Sequence, residues 1–243
     1  ITATNVFAHM STLYDVMCGI LTLMEKKSYF ILENHYIMDI IENNQYDSIY
    51  HEHIRNYSLS SLKYLFELYN LKIVDASIID RYKGSIKVIV TNDKHHKVNE
   101  NVNKIIQREK IKGLFQHNIW DNFRDNIKKS KKNLLEILES LKKNGKSVVA
   151  NSCPGRSSTL MNYCNIGKEL IPYIAEQPSS LKLGKYLPGK HIPVINNEIL
   201  FKEQPDYILQ LAWHLADPII KNLRSRGIKS KFIIPLPQPK IIS

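Results

Sequence analysis

The stretch Gln45-Tyr46-Asp47-Ser48-Ile49-Tyr50-His51-Glu52-His53 holds the densest chemistry in the sequence. Tyr50, His51, Glu52 and His53 bring together a phenol, a carboxylate and two imidazoles. That set suits proton transfer, with an imidazole as general base, a carboxylate to orient it and a phenol to hold an oxygen. The same residues also fit a solvated surface loop. A third use is metal binding. On an extended segment His51 and His53 share one side, with Tyr50 and Glu52 on the other. His9 or His35 would then have to supply further ligands. No third ligand is set by the spacing, so no metal is expected. His95-His96, between Lys94 and Lys97, reads as a solvated turn.

These residues follow a strand pattern at 28–33 and precede a helix pattern at 58–69. Ser58 is placed to cap that helix, and Leu62, Leu65, Phe66 and Tyr69 recur at helical spacing. The chemistry therefore falls in a loop beyond a sheet edge, where open α/β sheets carry their sites. Upstream lie a short β-prone run at 2–7 and an apolar helix at 13–23. Downstream, strands at 71–79 and 86–90 flank a turn at Lys83-Gly84, which makes a hairpin. Residues 1–95 thus read as one α/β region. Residues 96–145 are charged and helical throughout, with a stripe of Leu134, Leu135, Ile137, Leu138 and Leu141 that ends at Gly145, and read as a helical connector. Residues 146–243 alternate again, with strands at 147–150, 171–175, 207–211 and 231–234 and helices at 157–164 and 217–226. Strands joined by crossover helices predict a second α/β domain with a parallel sheet.

The chain has 243 residues and a hydrophobic fraction of 43%, enough for a buried core. No run of about 18 apolar residues is present, so no transmembrane helix is expected. The first residues have neither a basic n-region nor an apolar h-region, so no signal peptide is expected. Cys18, Cys153 and Cys164 fit no disulfide framework or CxxC zinc site, which favours a reduced, cytoplasmic setting. The net charge of +11 favours anionic partners. Much of the excess, as in Lys128-Lys129-Ser130-Lys131-Lys132, reads as a solvated helical face.

Several motifs, in order, carry a resemblance. They are Thr2-Ala3-Thr4-Asn5-Val6-Phe7-Ala8-His9, the stretch 45–53, Tyr57-Ser58-Leu59, and Tyr82-Lys83-Gly84-Ser85-Ile86-Lys87-Val88. Further on come Thr159-Leu160-Met161-Asn162-Tyr163-Cys164, Gly184-Lys185-Tyr186-Leu187-Pro188-Gly189-Lys190-His191-Ile192-Pro193, Pro205-Asp206-Tyr207, Ala212-Trp213 and Phe232-Ile233-Ile234-Pro235. Together these resemble the S-adenosylmethionine-dependent sugar-nucleotide C-methyltransferases over nearly the whole chain. The resemblance implies an α/β fold: the C-terminal part of a Rossmann-like class I methyltransferase sheet, followed by a second Rossmann-like domain. It implies a substrate, a nucleotide-linked 4-keto-deoxysugar, methylated at carbon 3 next to the ketone. It implies His53 as the base that removes the C3 proton, Glu52, Tyr50 and His9 as polar residues near the reacting carbons, and Asn5 on the sugar. Arg156 and Lys185 are expected on the substrate. A proton beside a ketone becomes removable when the enolate oxygen is stabilised. Donors there contribute about 3–4 kcal/mol, and a placed base a factor of about 100 to 10,000. Attack on a sulfonium methyl group requires no metal.

The resemblance further implies a zinc-binding Cys-rich domain and a Gly-rich S-adenosylmethionine loop ahead of this stretch. The chain contains neither. It is therefore expected to be a fragment that lacks most of the cofactor pocket and is inactive alone, with zinc confined to the absent domain. Residues 150–159 replace a glycine-rich loop of the family, with Arg156 keeping a cation and Ser157 and Ser158 able to face an anion. Lys83 and Lys87 replace a glycine and an arginine of the hairpin motif, and Lys lacks the planar bidentate fork. Two other functions compete: a catalytically incomplete sugar-nucleotide-binding protein, and a basic nucleic-acid-binding module. The dispersed lysines and the lack of a recognised motif speak against nucleic acid. No motif sets an oligomeric state.

Overall fold

The computed structural model describes residues 1–243, which form two units: residues 1–43 with 50–123, and residues 44–49 with 124–243. In the first, β1 (Thr2–Thr4), β2 (Tyr29–His35), β3 (Lys72–Ile79) and β4 (Ser85–Thr91) pair in the order β1-β2-β4-β3. The β1–β2 pair is parallel, and β4 runs antiparallel to both β2 and β3. Alternation explains the buried face: Phe30, Leu32 and Asn34 of β2 and Ile86, Val88 and Val90 of β4 point inward. Phe7, Phe30 and Phe66 meet over this face with ring centroids 5.9–6.3 Å apart.

Local chemistry sets most boundaries. β1 stops where Asn5 turns to φ +53°, and a 3-10 turn follows at Phe7–His9. Helix α1 spans Leu13–Leu23. β2 runs two residues past the expected end, because its ladder with β4 continues to His35↔Ser85. The polar Asn34 and His35 resembled a loop in sequence, yet the partner strand holds them. A short helix, α2 (Ile37–Glu42), has nearly every residue buried, so it shows no amphipathic period to read. Helix α3 (Leu59–Leu68) carries the expected Ser58 cap as a full capping box, with Ser58 and Ser61 exchanging side-chain and backbone bonds at 3.0 Å. Glu109 of α4 (Glu100–Ile111) accepts from Leu59 N, Ser60 N, Ser60 Oγ and Tyr36 Oη at the start of α3. In the β3–β4 turn, Gly84 is required: its φ is +137°, and a Cβ there would lie 2.3 Å from Asp39 Cβ.

Helix α5 (His117–Lys143) passes from the first unit into the second. Phe123, Ser130, Leu134 and Leu138 are buried along one stripe, while Lys128, Lys129 and Lys132 form an exposed face. The second unit then builds β5 (Val148–Asn151), α6 (Ser157–Tyr163), β6 (Ile174–Glu176), β7 (Val194–Asn196), α7 (Glu198–Glu203), β8 (Tyr207–Gln210), α8 (Ala216–Ser225), β9 (Lys231–Ile234) and β10 (Lys240–Ile242). The sheet order is β10-β9-β8-β5-β6-β7, parallel except for β10. β6 begins only after Pro172, since proline cannot donate to the ladder. β7 and β10 are three-residue strands, too short to show alternation in sequence. No helix is long and apolar enough to cross a membrane.

Candidate functional site

In the first unit, three loops meet around one imidazole. Residues 50–53 form a tight turn, closed by His53 N donating to Tyr50 O at 2.9 Å. The turn overrides the extended reading: instead of facing opposite ways, the Tyr50 and His53 rings lie 4.6 Å apart. His9, from the 3-10 turn after β1, stands edge-on to His53 with centroids 4.8 Å apart. His35, the last residue of β2, stands edge-on at 5.1 Å. Glu52 ties the group together, accepting from Tyr50 Oη at 3.3 Å and lying 3.9 Å from His9 Nδ1. His51 is largely solvent-exposed and lies 3.9 Å from Glu52. Asn5 follows β1 at the same strand end, its N–H bonded to Glu33 O at 2.9 Å.

His9, Tyr50, Glu52 and His53 therefore lie together at one end of the first unit's sheet. The cluster offers imidazoles to accept or donate a proton, a phenol to donate a hydrogen bond and a carboxylate to orient them. No group of three or more His, Cys, Asp or Glu side chains has a geometry that would hold a metal ion. The sequence offers His35 only as a metal ligand and Tyr82, 5.8 Å from it, only as part of a hairpin. No local signal links these two to the cluster; the β2–β4 register does.

Arg156 sits in different surroundings. Its guanidinium donates through Nε to Asp47 Oδ2 at 2.8 Å and through Nη2 to Asp47 Oδ1 at 2.7 Å. Trp213 Nε1 donates to the same carboxylate at 2.8 Å, and the Trp213 ring lies 5.1 Å from the guanidinium carbon. Both charged side chains are buried, at 7% and 1% exposure. This guanidinium, expected on an anionic substrate, is engaged with Asp47, the form of pairing that a buried cation requires. Beside it, burial pushes the Tyr46 phenol and the Cys164 thiol, 3.3 Å apart, above their ordinary values. Lys185 is exposed on the turn before β7.

The second unit also has a cleft of about 690 Å³ at the carboxyl ends of its parallel strands. The chain winds outward from β5 through β6 to β7, then returns to the other side of β5 with β8 and β9. The cleft thus sits at the reversal of winding, where open α/β sheets take ligands. Its polar lining includes Ser152, Glu176, Lys182, Asn197 and Arg226. Lys182, which lines the cleft where Lys185 does not, donates to Cys153 O. Glu176 accepts from Cys153 N at 2.8 Å. Burial raises the Cys153 thiol above its ordinary value.

The residues present do not match a cradle for S-adenosylmethionine. The turn after β1 runs Asn5-Val6-Phe7-Ala8-His9, and β2 runs through Tyr36 into the buried α2. Neither turn holds a glycine, so neither lets backbone amides close on a ligand as a Gly-rich turn does.

Residues 81–237 match a family model described as the C-methyltransferase C-terminal domain. The chain is also similar to C-methyltransferase NovU of Streptomyces niveus, with 33% identity over 242 residues. That match covers 98% of this chain and 57% of the relative, so the chain spans little more than half of the relative's length. A family domain across most of the residues, and identity of this order along nearly all of them, place the chain in the C-methyltransferase family.

Proposed function

We propose that the chain carries the acceptor side of a C-methyltransferase acting on a nucleotide-linked 4-keto-deoxysugar. The observation that supports this most is the packing of His9, His35 and Tyr50 around His53 at ring distances of 4.6–5.1 Å. In this reading His53 takes the proton from carbon 3, beside the ketone. The electron pair of that C–H bond moves into the enolate, and His9 and Tyr50 donate hydrogen bonds to the enolate oxygen. Glu52 orients both donors. Asn5 contacts the sugar. The methyl donor expected of the family is S-adenosylmethionine. Because its cradle is not formed by these residues, the reading concerns proton removal and substrate binding alone. Taken by itself, the switch-point cleft of the second unit offers Lys182 and Arg226 to phosphate and Glu176 to hydroxyl groups. Cys18, Cys153 and Cys164 are free thiols, which supports a reducing, cytoplasmic setting.

The test is solvent exchange. The chain is incubated in heavy water with a nucleotide-linked 4-ketosugar and no methyl donor, and loss of the C3 proton signal is followed by NMR. Wild type should exchange the proton, and His53→Ala should slow this about 100-fold or more with little change in affinity. Parental exchange in His53→Ala, with loss in His9→Ala, would move the base to His9. Binding without exchange in wild type would leave a sugar-nucleotide-binding protein.

A further inference from the structure

His35 ends β2 and is paired with Ser85 across the ladder. Its ring meets that of His53 at 5.1 Å and 76°, nearly the geometry with which His9 meets it, 4.8 Å and 75°. The next ring along is Tyr82, 5.8 Å from His35. Tyr82 and Lys83 stand at φ +54° and +64°, a conformation that L side chains rarely adopt. Such strain persists only where the surroundings over-determine it. Here Gly84 N and Ser85 Oγ both bond to Arg81 O, at 3.1 and 3.0 Å, and Arg81 pairs with Glu33 at 2.8 Å. The turn thus holds Tyr82 against His35, and β2 holds His35 against His53.

We propose that His35 is a positioning residue for His53: it fixes the ring edge-on and, through the charge its own ring can gain 5.1 Å away, sets the pH at which His53 accepts a proton. The groups that face His53 include His9 from the turn after β1, His35 from β2 and Tyr50 from its own turn. Glu52 joins the cluster through Tyr50 and His9. Imidazoles about 5 Å apart do not gain charge independently, because each proton bound repels the next. The inference uses the assignment of His53 as base only for its effect on turnover.

NMR of the imidazole carbon-bound protons, from about pH 5 to 9, reads this directly. In wild type the His35 and His53 signals should each show a second inflection at the other's midpoint. His35→Phe, which keeps a ring, and His35→Ala should both move the His53 midpoint up by about half a pH unit. The acid limb of the exchange rate should move with it. His35→Phe should also retain the fixed His53 ring, seen as inter-ring Overhauser contacts between His9 and His53, and His35→Ala should lose it. Single, independent titrations in wild type with an unmoved midpoint in His35→Phe would overturn the proposal. Those two measurements decide even if His35→Ala does not fold. Moved midpoints without exchange in wild type would instead overturn the functional reading and leave His35 in its role.

Discussion

Residues 44–49 and 50–53 adjoin in sequence and differ in almost every physical respect. Tyr46, Asp47 and Ser48 are buried, and the Asp47 carboxylate accepts three strong bonds from Arg156 and Trp213. His51 and Glu52 leave 82% and 53% of their side chains in solvent. The first segment belongs to the second unit and the following residues to the first. A charged group with both its oxygens engaged anchors backbone. Titratable groups that keep solvent contact can exchange protons with it. Proximity in sequence to a chemistry-rich motif therefore does not assign a residue to chemistry; its desolvation and its partners do.

Removing the anchor tests this most severely. Asp47→Ala strands the Arg156 guanidinium in a buried site and should lower the stability of the second unit by about 3–5 kcal/mol. Glu52→Ala, on the exposed side, should change stability by no more than about 0.5 kcal/mol. Urea unfolding of the two variants measures both, and equal losses would break the distinction. A smaller effect sharpens the role of the cleft. Lys182→Ala should weaken binding of a nucleoside diphosphate about tenfold by calorimetry, the loss of one charge-assisted bond. Lys185→Ala, outside the cleft lining, should leave it unchanged.

The smallest effect concerns acid. Asp206 accepts from Ser147 N at 2.9 Å, Ser147 Oγ at 3.0 Å and Lys146 Nζ at 3.3 Å. The bonds from Ser147, foremost the backbone one, hold its carboxyl below the ordinary carboxylate range. A carboxyl lowered on folding stabilises the fold above its unfolded value of about 3.9 and loses that contribution as pH falls through the folded value. The melting temperature of the second unit should therefore fall as pH drops below about 4. Asp206→Asn should flatten that decline, and an unchanged slope would show that these bonds do not matter to stability.

Much of the fold was legible in residue order. The Ser58 cap, the 13–23 helix, the antiparallel strand after Gly84 and the parallel alternation after residue 146 all follow from interactions a few residues apart. The motif around His53 was legible for the same reason, since its residue types carry the chemistry wherever the backbone goes. Tertiary structure alone decided which of those groups meet. Asp47 and Arg156 are 109 residues apart, and Tyr36 and Glu109 are 73 apart. His35 reaches His53 only because β4 extends the β2 ladder to its last residue. Capping and periodicity are energies of near neighbours and so appear in sequence. The pairing of a buried charge, or the facing of two rings, depends on strand register and on chain crossings, which place distant residues in contact without any local signal.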